Sequence, residues 1–266
     1  MHLILKDIGL QVSESLTNQE KIRFSMTSTY FNKLKYQFIY QNKINMARIR
    51  KLSYFNNFEF VEINDIMQEV GYANILPKNV KFICFSTGKT KIPQYVTHLT
   101  FIDKFNQSIA NCIPNSVTCI TFGHSFNQSI ANCIPNSVTC LTFGHSFNQS
   151  IANCIPNSVT RLTFGHSFNQ SIANCIPNSV THLTFGCSFN QSTTNCIPNS
   201  VTHLTFGNQF FNGYPFGDVL KSVTHLTISN TCINMSWCMP FLTHLTINVH
   251  HAFVSLDKKS PHQSLI

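Results

Sequence analysis

The sequence predicts an α+β protein in which a β-solenoid with a parallel sheet follows a small helical segment. Three observations lead to this prediction. One phrase repeats with a period of 21 residues from Val96 to about Phe206, and each copy alternates apolar and polar residues before a glycine. The residues before position 44 instead have helical spacing and a helix-capping signal. A short unit repeated this strictly is typical of a solenoid, because each unit buries its apolar residues against its neighbours.

One unit shows how a coil is built. Six apolar positions recur along it, at Val117, Ile120, Phe122, Phe126, Ile130 and Ile134. The alternation around Ile120 predicts a short strand, and Gly123 then permits a turn that a residue with a Cβ would resist. The rest of the unit is too short and too β-branched for a long helix, so we expect irregular or single-turn backbone. Stacked coils would place equivalent residues about 4.8 Å apart in a parallel sheet.

The repeated phrase carries a family resemblance. The pattern L-T-F-G-x-x-F-N-Q-x-I, followed by I-P-x-S-V-T-x-L, resembles the FNIP repeat, a variant of the leucine-rich repeat found in amoebae and their giant viruses. The resemblance covers roughly residues 75–247. It implies that the solenoid is leucine-rich-repeat-like.

The first 43 residues are predicted to be helical. Apolar residues before position 17 suggest a first amphipathic helix. A capping box, with Thr17 as N-cap and Glu20 at the third helical position, opens a second helix through about Met26. Ile22 and Met26 should share one face of that helix. A third helix is expected to begin near Thr29.

This helical segment resembles a degenerate F-box, the three-helix motif that docks onto a Skp-type adaptor of cullin–RING ubiquitin ligases. The matching residues are Leu16, residues 18–25, the pair Tyr30-Phe31, and Lys33-Leu34. The resemblance implies an adaptor-binding set of Leu16, Ile22, Phe24, Tyr30 and Phe31. The alternative is a helical cap that shields the first coil, which every solenoid needs. The two roles can coexist.

The sequence divides into four predicted segments. They are an F-box-like helical segment (1–43), a transition or cap (44–74), the FNIP repeat solenoid (75–256) and a disordered tail (257–266). Within the transition, Val61 to Ile63 is a candidate short strand. Loose final coils containing Trp237 and Phe241 are expected to cap the C-terminal end.

Charge is distributed unevenly along the chain. Fourteen of the 18 Lys and Arg residues lie at or before Lys104, and Arg161 is the only formal charge between Lys104 and Asp218. Nucleic-acid binding through this basic third is therefore an alternative function, but acids such as Glu14 and Glu20 are interspersed and disfavour it. Neither a signal peptide nor an apolar run long enough to span a membrane is expected. We therefore expect an intracellular, cytoplasmic protein, in the host cell if it is viral.

The cysteines and the repeated glycine phrase are candidate chemical sites. Five of the 11 cysteines form one column, at Cys112, Cys133, Cys154, Cys175 and Cys196, and we expect buried reduced thiols. A line of sulfurs about 4.8 Å apart does not make a tetrahedral metal site. Gly123-His-Ser-Phe lacks the final glycine of a nucleophile elbow and has no acid nearby. We expect no catalytic residue, metal or cofactor.

The outward positions of the predicted strand form the candidate target-binding face. One column varies from coil to coil, through His98, Cys119, Cys140, Arg161, His182, His203, His225 and His244. The column beside it is constant, and it includes Thr121, Thr142, Thr163 and Thr184. Divergence at one position among otherwise fixed repeats favours a recognition surface. Drift on a solvent-facing surface is the alternative.

These expectations combine into one functional hypothesis. The protein would be a non-enzymatic substrate receptor, in which the helices recruit a Skp-type adaptor and the solenoid holds an unknown target protein for ubiquitin transfer by a separate ligase. The rival hypothesis is a plain repeat scaffold whose helices only cap the array.

Overall fold

The structure is a computed structural model, and it describes residues 2–71, 75–207, 222–228, 241–249 and 252–257. The chain forms two compact units. The first consists of Met1–Thr87 and Tyr95–Leu99, and the second of Gly88–Gln94 and Thr100–Ile266.

The first unit opens with three helices, α1 (His2–Glu14), α2 (Asn18–Ser25) and α3 (Thr29–Leu34). The predicted capping box is confirmed. The backbone N–H of Glu20 donates to Thr17 Oγ1 at 3.3 Å, and the backbone N–H of Thr17 donates to Glu20 Oε2 at 2.8 Å. These two bonds fix the start of α2, because they satisfy N–H groups that the helix itself cannot.

Helix α1 does not bury the apolar stripe that its sequence suggests. It packs on α3 through Gly9, where an added Cβ would meet Leu34 Cδ1 at 2.8 Å. Leu5, Ile8 and Val12 are exposed instead. Gly9 permits close helix packing because it has no side chain, and this close contact turns the apolar stripe toward solvent.

Helix α2 also buries a different face from the one expected. Its buried residues are polar, namely Asn18, Lys21 and Ser25. Met26 is 76% exposed and Ile22 is half-buried, so these two residues do not form the buried face of the helix. Lys21 Nζ donates to the carbonyl oxygen of Ile39 at 2.6 Å, and the backbone N–H of Asn18 donates to Asn42 Oδ1 at 2.8 Å. The polar face therefore turns inward because it satisfies backbone and side-chain groups of residues 39–42.

A parallel sheet follows the helices in the first unit. Its strands and short helices are β1 (Ile44–Asn45), α4 (Met46–Ile49), a 3-10 helix (Phe55–Asn57), β2 (Phe60–Asn64), α5 (Asp65–Glu69) and β3 (Phe82–Thr87). β1 pairs with β2 and β2 with β3, both in parallel register. The strand predicted at Val61 to Ile63 is confirmed as part of β2. Within residues 44–74, β1 and β2 already contribute to the sheet.

The second unit is built from short strands at nearly constant spacing. Strand β4 (His98–Phe101) is shared between the two units. The others are β5 (Cys119–Thr121), β6 (Cys140–Thr142), β7 (Arg161–Thr163), β8 (His182–Thr184), β9 (His203–Thr205), β10 (His225–Ile228), β11 (His244–Val249) and β12 (Ala252–Asp257). From β5 to β11 each strand is parallel to the next, with equivalent residues in register. One short strand for each coil confirms the predicted solenoid with a parallel sheet.

The core of the second unit consists of columns of identical side chains. In one coil Val138, Leu141, Phe143 and Phe147 are all buried, as the alternation predicts. Phe143 stacks on the equivalent phenylalanines of the neighbouring coils at 5.4 and 5.5 Å, and on Phe147 of its own coil at 3.9 Å. Each buried phenylalanine contributes about 1.5–3 kcal/mol, and the contribution depends on having a coil on either side.

The backbone between the strands is irregular, as predicted, but the role of its glycine differs from the expectation. A Cβ on Gly144 would lie 2.0 Å from the carbonyl oxygen of Gly123. Neither residue has a positive φ. Glycine is therefore required by the close approach of adjacent coils and not by a special turn conformation. The left-handed residue of the coil is an asparagine, at Asn111, Asn132, Asn153, Asn174 and Asn195.

The C-terminal end of the described sheet is antiparallel, since β12 pairs with β11 in the opposite direction. Phe241 is 58% exposed. Trp237 and residues 258–266 of the predicted disordered tail lie outside the described residues. Asp257, which the sequence assigned to that tail, is the last residue of β12.

Candidate protein-binding face

The open face is the outward side of the strands in the second unit. Its first column consists of Cys119, Cys140, Arg161, His182 and His203, and its second column of Thr121, Thr142, Thr163 and Thr184. Every one of these residues is partly or fully exposed, whereas the residue between them on each strand is buried. The parallel register sets each residue beside its equivalent on the next strand. The structure therefore brings the predicted residues of this unit together on one surface.

His98 lies in the first unit, in a more aromatic environment. Its ring lies 5.6 Å from the ring of Phe60 and 5.5 Å from that of Phe82, which is 44% exposed. Burial lowers the pKa of His98. These phenylalanines were not predicted. The sequence does contain a signal for Phe82. Residues 80–85 follow the same pattern as residues 96–101, and this pattern places Phe82 at the position of His98.

Four histidines of the first column form a continuous stack, which we call the histidine ladder: His182, His203, His225 and His244. Successive ring centroids are 4.2, 4.1 and 4.1 Å apart, and the ring planes are within 13° of parallel. Parallel strands in register produce this stack, because each ring lies directly beside the ring of the next coil.

Threonine hydroxyls hold the rings of the ladder in place. Thr181 Oγ1 lies 2.9 Å from His182 Nδ1 and also donates to the carbonyl oxygen of Thr160 at 3.2 Å. Thr202 Oγ1 is related in the same way to His203 Nδ1 at 2.9 Å, and to the carbonyl oxygen of Thr181 at 3.3 Å. Each of these two rings is therefore fixed through Nδ1, and Nε2 is the nitrogen left for a ligand.

The electrostatics at His182 and His203 favour neutral rings. Partial burial lowers the pKa of His182, and the nearby charge of Arg161 and the ring of His225 lower it further. The pKa of His203 is lowered by partial burial, and then by His182, Arg161 and His244. The side chain of Arg161 is exposed. At neutral pH the open face therefore carries one formal charge, from Arg161.

A second histidine stack lies outside the open face, in the turn that follows each strand. It contains His124, His145 and His166, with ring centroids 4.5 and 4.6 Å apart. All three are exposed. Desolvation and the rings on either side lower the pKa of His145. This stack provides a natural comparison for the ladder on the sheet.

Asparagine side chains connect the coils of the second unit. Asn127 Oδ1 accepts a bond from the backbone N–H of Asn148 at 2.9 Å and from Gln149 Nε2 at 3.0 Å. Asn148 Oδ1 accepts equivalent bonds from Asn169 and Gln170, at 2.9 and 3.0 Å. The role of this column is structural, because its acceptor oxygens are used by the next coil.

The cysteine column is half-buried and not buried as expected. Cys112, Cys133, Cys154, Cys175 and Cys196 all belong to this class. Cys154 Sγ donates to the carbonyl oxygen of Ala152 at 3.1 Å, which keeps the thiol near the edge of the coil. Burial and the neighbouring thiols raise the pKa of Cys154. All the cysteines of the described residues are free, and those residues contain no cluster of three or more His, Cys, Asp or Glu side chains able to hold a metal ion.

The residues implied by the F-box resemblance are all half-buried in the first unit: Leu16, Ile22, Phe24, Tyr30 and Phe31. The rings of Phe24 and Phe31 are 4.5 Å apart, and those of Tyr30 and Phe31 are 5.6 Å apart. Phe24 also lies 6.2 Å from Phe38, which is fully buried. Phe24 and Phe31 therefore hold the helices together, and they also keep some exposed surface.

Leu5, Ile8 and Val12 of α1, which the sequence pattern assigns to the apolar stripe of the first helix, are 41%, 51% and 43% exposed. Their spacing places them on one side of the helix. In the part of the chain that the structure describes, no helix has the length and apolar character needed to cross a membrane.

Comparison with known proteins supports the resemblance of the repeated unit to the FNIP repeat. The FNIP Repeat family model matches residues 87–125, 105–146, 126–167, 147–188 and 168–209. A solved structure described as "The crystal structure of CroV588 a novel circular LRR protein structure" is 45% identical, with a TM-score of 0.57. The match covers 65% of this chain and 28% of that one, so this chain spans well under a third of the protein it resembles. No curated protein matches the chain.

Proposed function

We propose that the protein is a non-enzymatic protein-interaction module that holds a target protein on its open face. One observation carries the proposal. The inward positions of the coils repeat the same residues, whereas the first outward column changes from Cys140 to Arg161 to His182 on successive strands. Stacked repeats create an extended surface that suits a protein partner. The FNIP matches and the leucine-rich-repeat structure agree with a scaffold role.

Site-specific photo-crosslinking tests this proposal. A photoreactive amino acid is placed at Thr163 on the open face, and in a matched variant at Asn157, an exposed residue outside the strand. We expect the Thr163 variant to capture one defined partner in cells, and the Asn157 variant to capture it poorly. Equal capture at Thr163 and Asn157 would contradict a binding role for this face. So would the absence of capture both at Thr163 and in a further variant with the photoreactive residue at the neighbouring His182.

We extend the proposal to the N-terminal helices, which would recruit a Skp-type adaptor and make the chain a substrate receptor of a cullin–RING ubiquitin ligase. The supporting observation is apolar surface on these helices, at Leu5, Ile8 and Val12 of α1 and at the half-buried Ile22 of α2. Helix-docking interfaces concentrate their binding energy in a few apolar anchors of this kind. This role would place the protein in the cytoplasm, and a reducing compartment is consistent with free cysteines.

A capping role for the same helices is supported by different contacts. Lys21 and Asn18 bond to Ile39 and Asn42, immediately before β1. These contacts use the polar side of α2, whereas the adaptor proposal uses apolar side chains that remain accessible. One helical segment can therefore serve both roles.

Binding to purified Skp-type adaptor separates the two roles. Ile8→Asp and Ile22→Asp should each abolish adaptor binding with little change in Tm, and the control Lys91→Glu should change neither. Lys21→Met should lower Tm, because it leaves the Ile39 carbonyl without its donor, and adaptor affinity should stay unchanged. An intact chain with no measurable adaptor affinity would overturn the ligase proposal and leave the scaffold proposal standing.

A further inference from the structure

The histidine ladder and Arg161 form a row of basic groups with no acidic residue along most of its length. Arg161 precedes His182 in register, and no Asp or Glu occurs between Asp103 and Asp218 in the sequence. Among the described residues, Cys140 lies opposite Arg161 in register, and the backbone of β12 pairs Asp257 with His244. The charge of this surface therefore depends mainly on how many rings are protonated.

The rings of His182 and His203 can accept a proton without moving. In the protonated state each Nδ1–H would donate to the threonine hydroxyl 2.9 Å away, while that hydroxyl donates to the carbonyl oxygen of the preceding coil. Nε2–H would then be a second donor. No described residue bonds to Nε2 of either ring, so this donor is available to a ligand.

Repulsion limits protonation when the face is empty. Adjacent rings are 4.1–4.2 Å apart, and Arg161 adds a permanent positive charge at one end of the ladder. Like charges at this distance oppose one another strongly. A ligand that supplies several negative charges along the row removes that repulsion, whereas a neutral ligand does not.

We propose that Arg161 and the histidine ladder bind an acidic segment of a partner protein, and that its carboxylates pair with protonated rings, so that affinity rises as the pH falls. The inference rests on the proposed function, since it assigns a partner chemistry to the open face. Carboxylates are ionised above about pH 4.3, and an unperturbed histidine becomes charged below about pH 6.5. Complementary charge therefore develops between these two values.

The direction of the pH effect follows from linkage. A bound carboxylate favours the protonated ring and raises its pKa, so the complex takes up protons that the free protein does not hold. For each ring whose pKa rises by one unit, affinity should increase about tenfold across that window. We therefore expect the affinity for the acidic segment to be higher at about pH 5.5 than at about pH 7.5.

The test measures binding of a decaglutamate peptide to the full chain by isothermal titration calorimetry at these two pH values and equal ionic strength. The intact protein should bind the peptide at least about tenfold more tightly at the lower pH. Decaglutamine should not bind at either pH. A single-stranded decathymidylate serves as a second polyanion, to separate acidic protein from nucleic acid.

Three variants locate the effect on the ladder. Arg161→Gln should weaken binding at both pH values. His203→Gln should remove most of the pH dependence, because it interrupts the ladder. His145→Gln, in the turn stack, should leave both affinities unchanged. Unchanged melting temperatures at pH 7.5 would show that each variant is folded.

Three results would overturn the inference. One is equal decaglutamate affinity at both pH values, another is an equal loss in His145→Gln and His203→Gln, and the third is tighter binding of decathymidylate through the same residues. In each case a partner crosslinked at Thr163 would still support the open face as a binding surface. The failure of this inference is therefore distinct from failure of the proposed function.

Discussion

The backbone of Gly144 packs directly against that of Gly123, so that a Cβ on Gly144 would lie 2.0 Å from the carbonyl oxygen of Gly123. Gly144→Ala should lower the free energy of unfolding by about 3 kcal/mol or more, because a backbone oxygen cannot move aside without separating two coils. Gly88→Ala is the control, since its Cβ would meet only the flexible tip of Ile102. Similar losses for both variants in urea denaturation would contradict this packing.

Asn153 is left-handed, with a φ of 56°. Asn153→Ala should destabilise the array by about 1–2 kcal/mol, because residues with a Cβ resist this conformation and asparagine tolerates it better than most. Asn153→Gly should be nearly neutral. Asn157→Ala, at an exposed asparagine without positive φ, is the control. Denaturation midpoints ranking Asn153→Gly below Asn153→Ala would show that side-chain contacts and not backbone conformation select the asparagine.

Thr193 replaces an isoleucine that is fully buried in the preceding units. Its side chain is 1% exposed, and its hydroxyl has no hydrogen-bond partner among the described residues. Thr193→Ile should therefore stabilise the protein by about 1–3 kcal/mol, through removal of an unsatisfied polar group and gain of apolar burial. Thr194→Ala, which also restores the repeated residue but at an exposed position, should change stability by less than about 0.5 kcal/mol. A loss of stability in Thr193→Ile would mean that the hydroxyl has a bonding role.

Acid should destabilise the array through the histidine ladder. Because the folded pKa values of His182 and His203 are lowered, the unfolded chain binds more protons once the pH falls below its ordinary histidine pKa of about 6.5. Stability is therefore full above that value and is lost as the pH falls through the folded pKa values. The double variant His182→Gln, His203→Gln should show a smaller drop in Tm than the unaltered protein between about pH 7.5 and 5.5.

The control for this pH effect is Thr184→Ser, a conservative change on the same strand as His182 that adds and removes no titrating group. It should leave the drop in Tm unchanged. If the double histidine variant loses as much Tm on acidification as the unaltered protein, the ladder is not the source of the acid sensitivity.

The parts of the fold that were predictable are those with local or periodic causes. The strand of each coil follows from alternation around residues such as Leu141, and the stacking of Phe143 follows from the repeat of 21 residues. The start of α2 follows from the capping pair Thr17 and Glu20, three residues apart. In each case the residues that decide the structure are close in sequence or recur at a fixed interval.

The predictions that failed concern residues whose environment depends on contacts with distant or irregular backbone. Lys21 is buried because the carbonyl of Ile39, 18 residues away, accepts its bond, and amphipathic spacing does not reveal this. Cys154 is only half-buried because its thiol bonds to the nearby Ala152 carbonyl and does not enter the core. Gly144 looked like a turn residue, but close approach between coils determines its identity.

The candidate binding face was located by the same periodic reasoning, since Cys140 and Thr142 had to point away from the buried Leu141. The ring stacking of His182 and His203 was not foreseen, and neither were the threonine hydroxyls that fix them. Both depend on side-chain conformations that the sequence pattern does not specify.

The proposed binding face requires each strand to be oriented with its phenylalanine inside and its threonine on the open face. Phe143→Ala should lower the free energy of unfolding by about 3–5 kcal/mol, because Phe143 is 2% exposed and stacks on rings in both neighbouring coils. Thr142→Ala, one residue earlier, should cost less than about 0.5 kcal/mol. Chemical denaturation of the two variants measures this difference directly. Equal losses, or a larger loss for Thr142→Ala, would contradict the open face and with it the proposed binding surface.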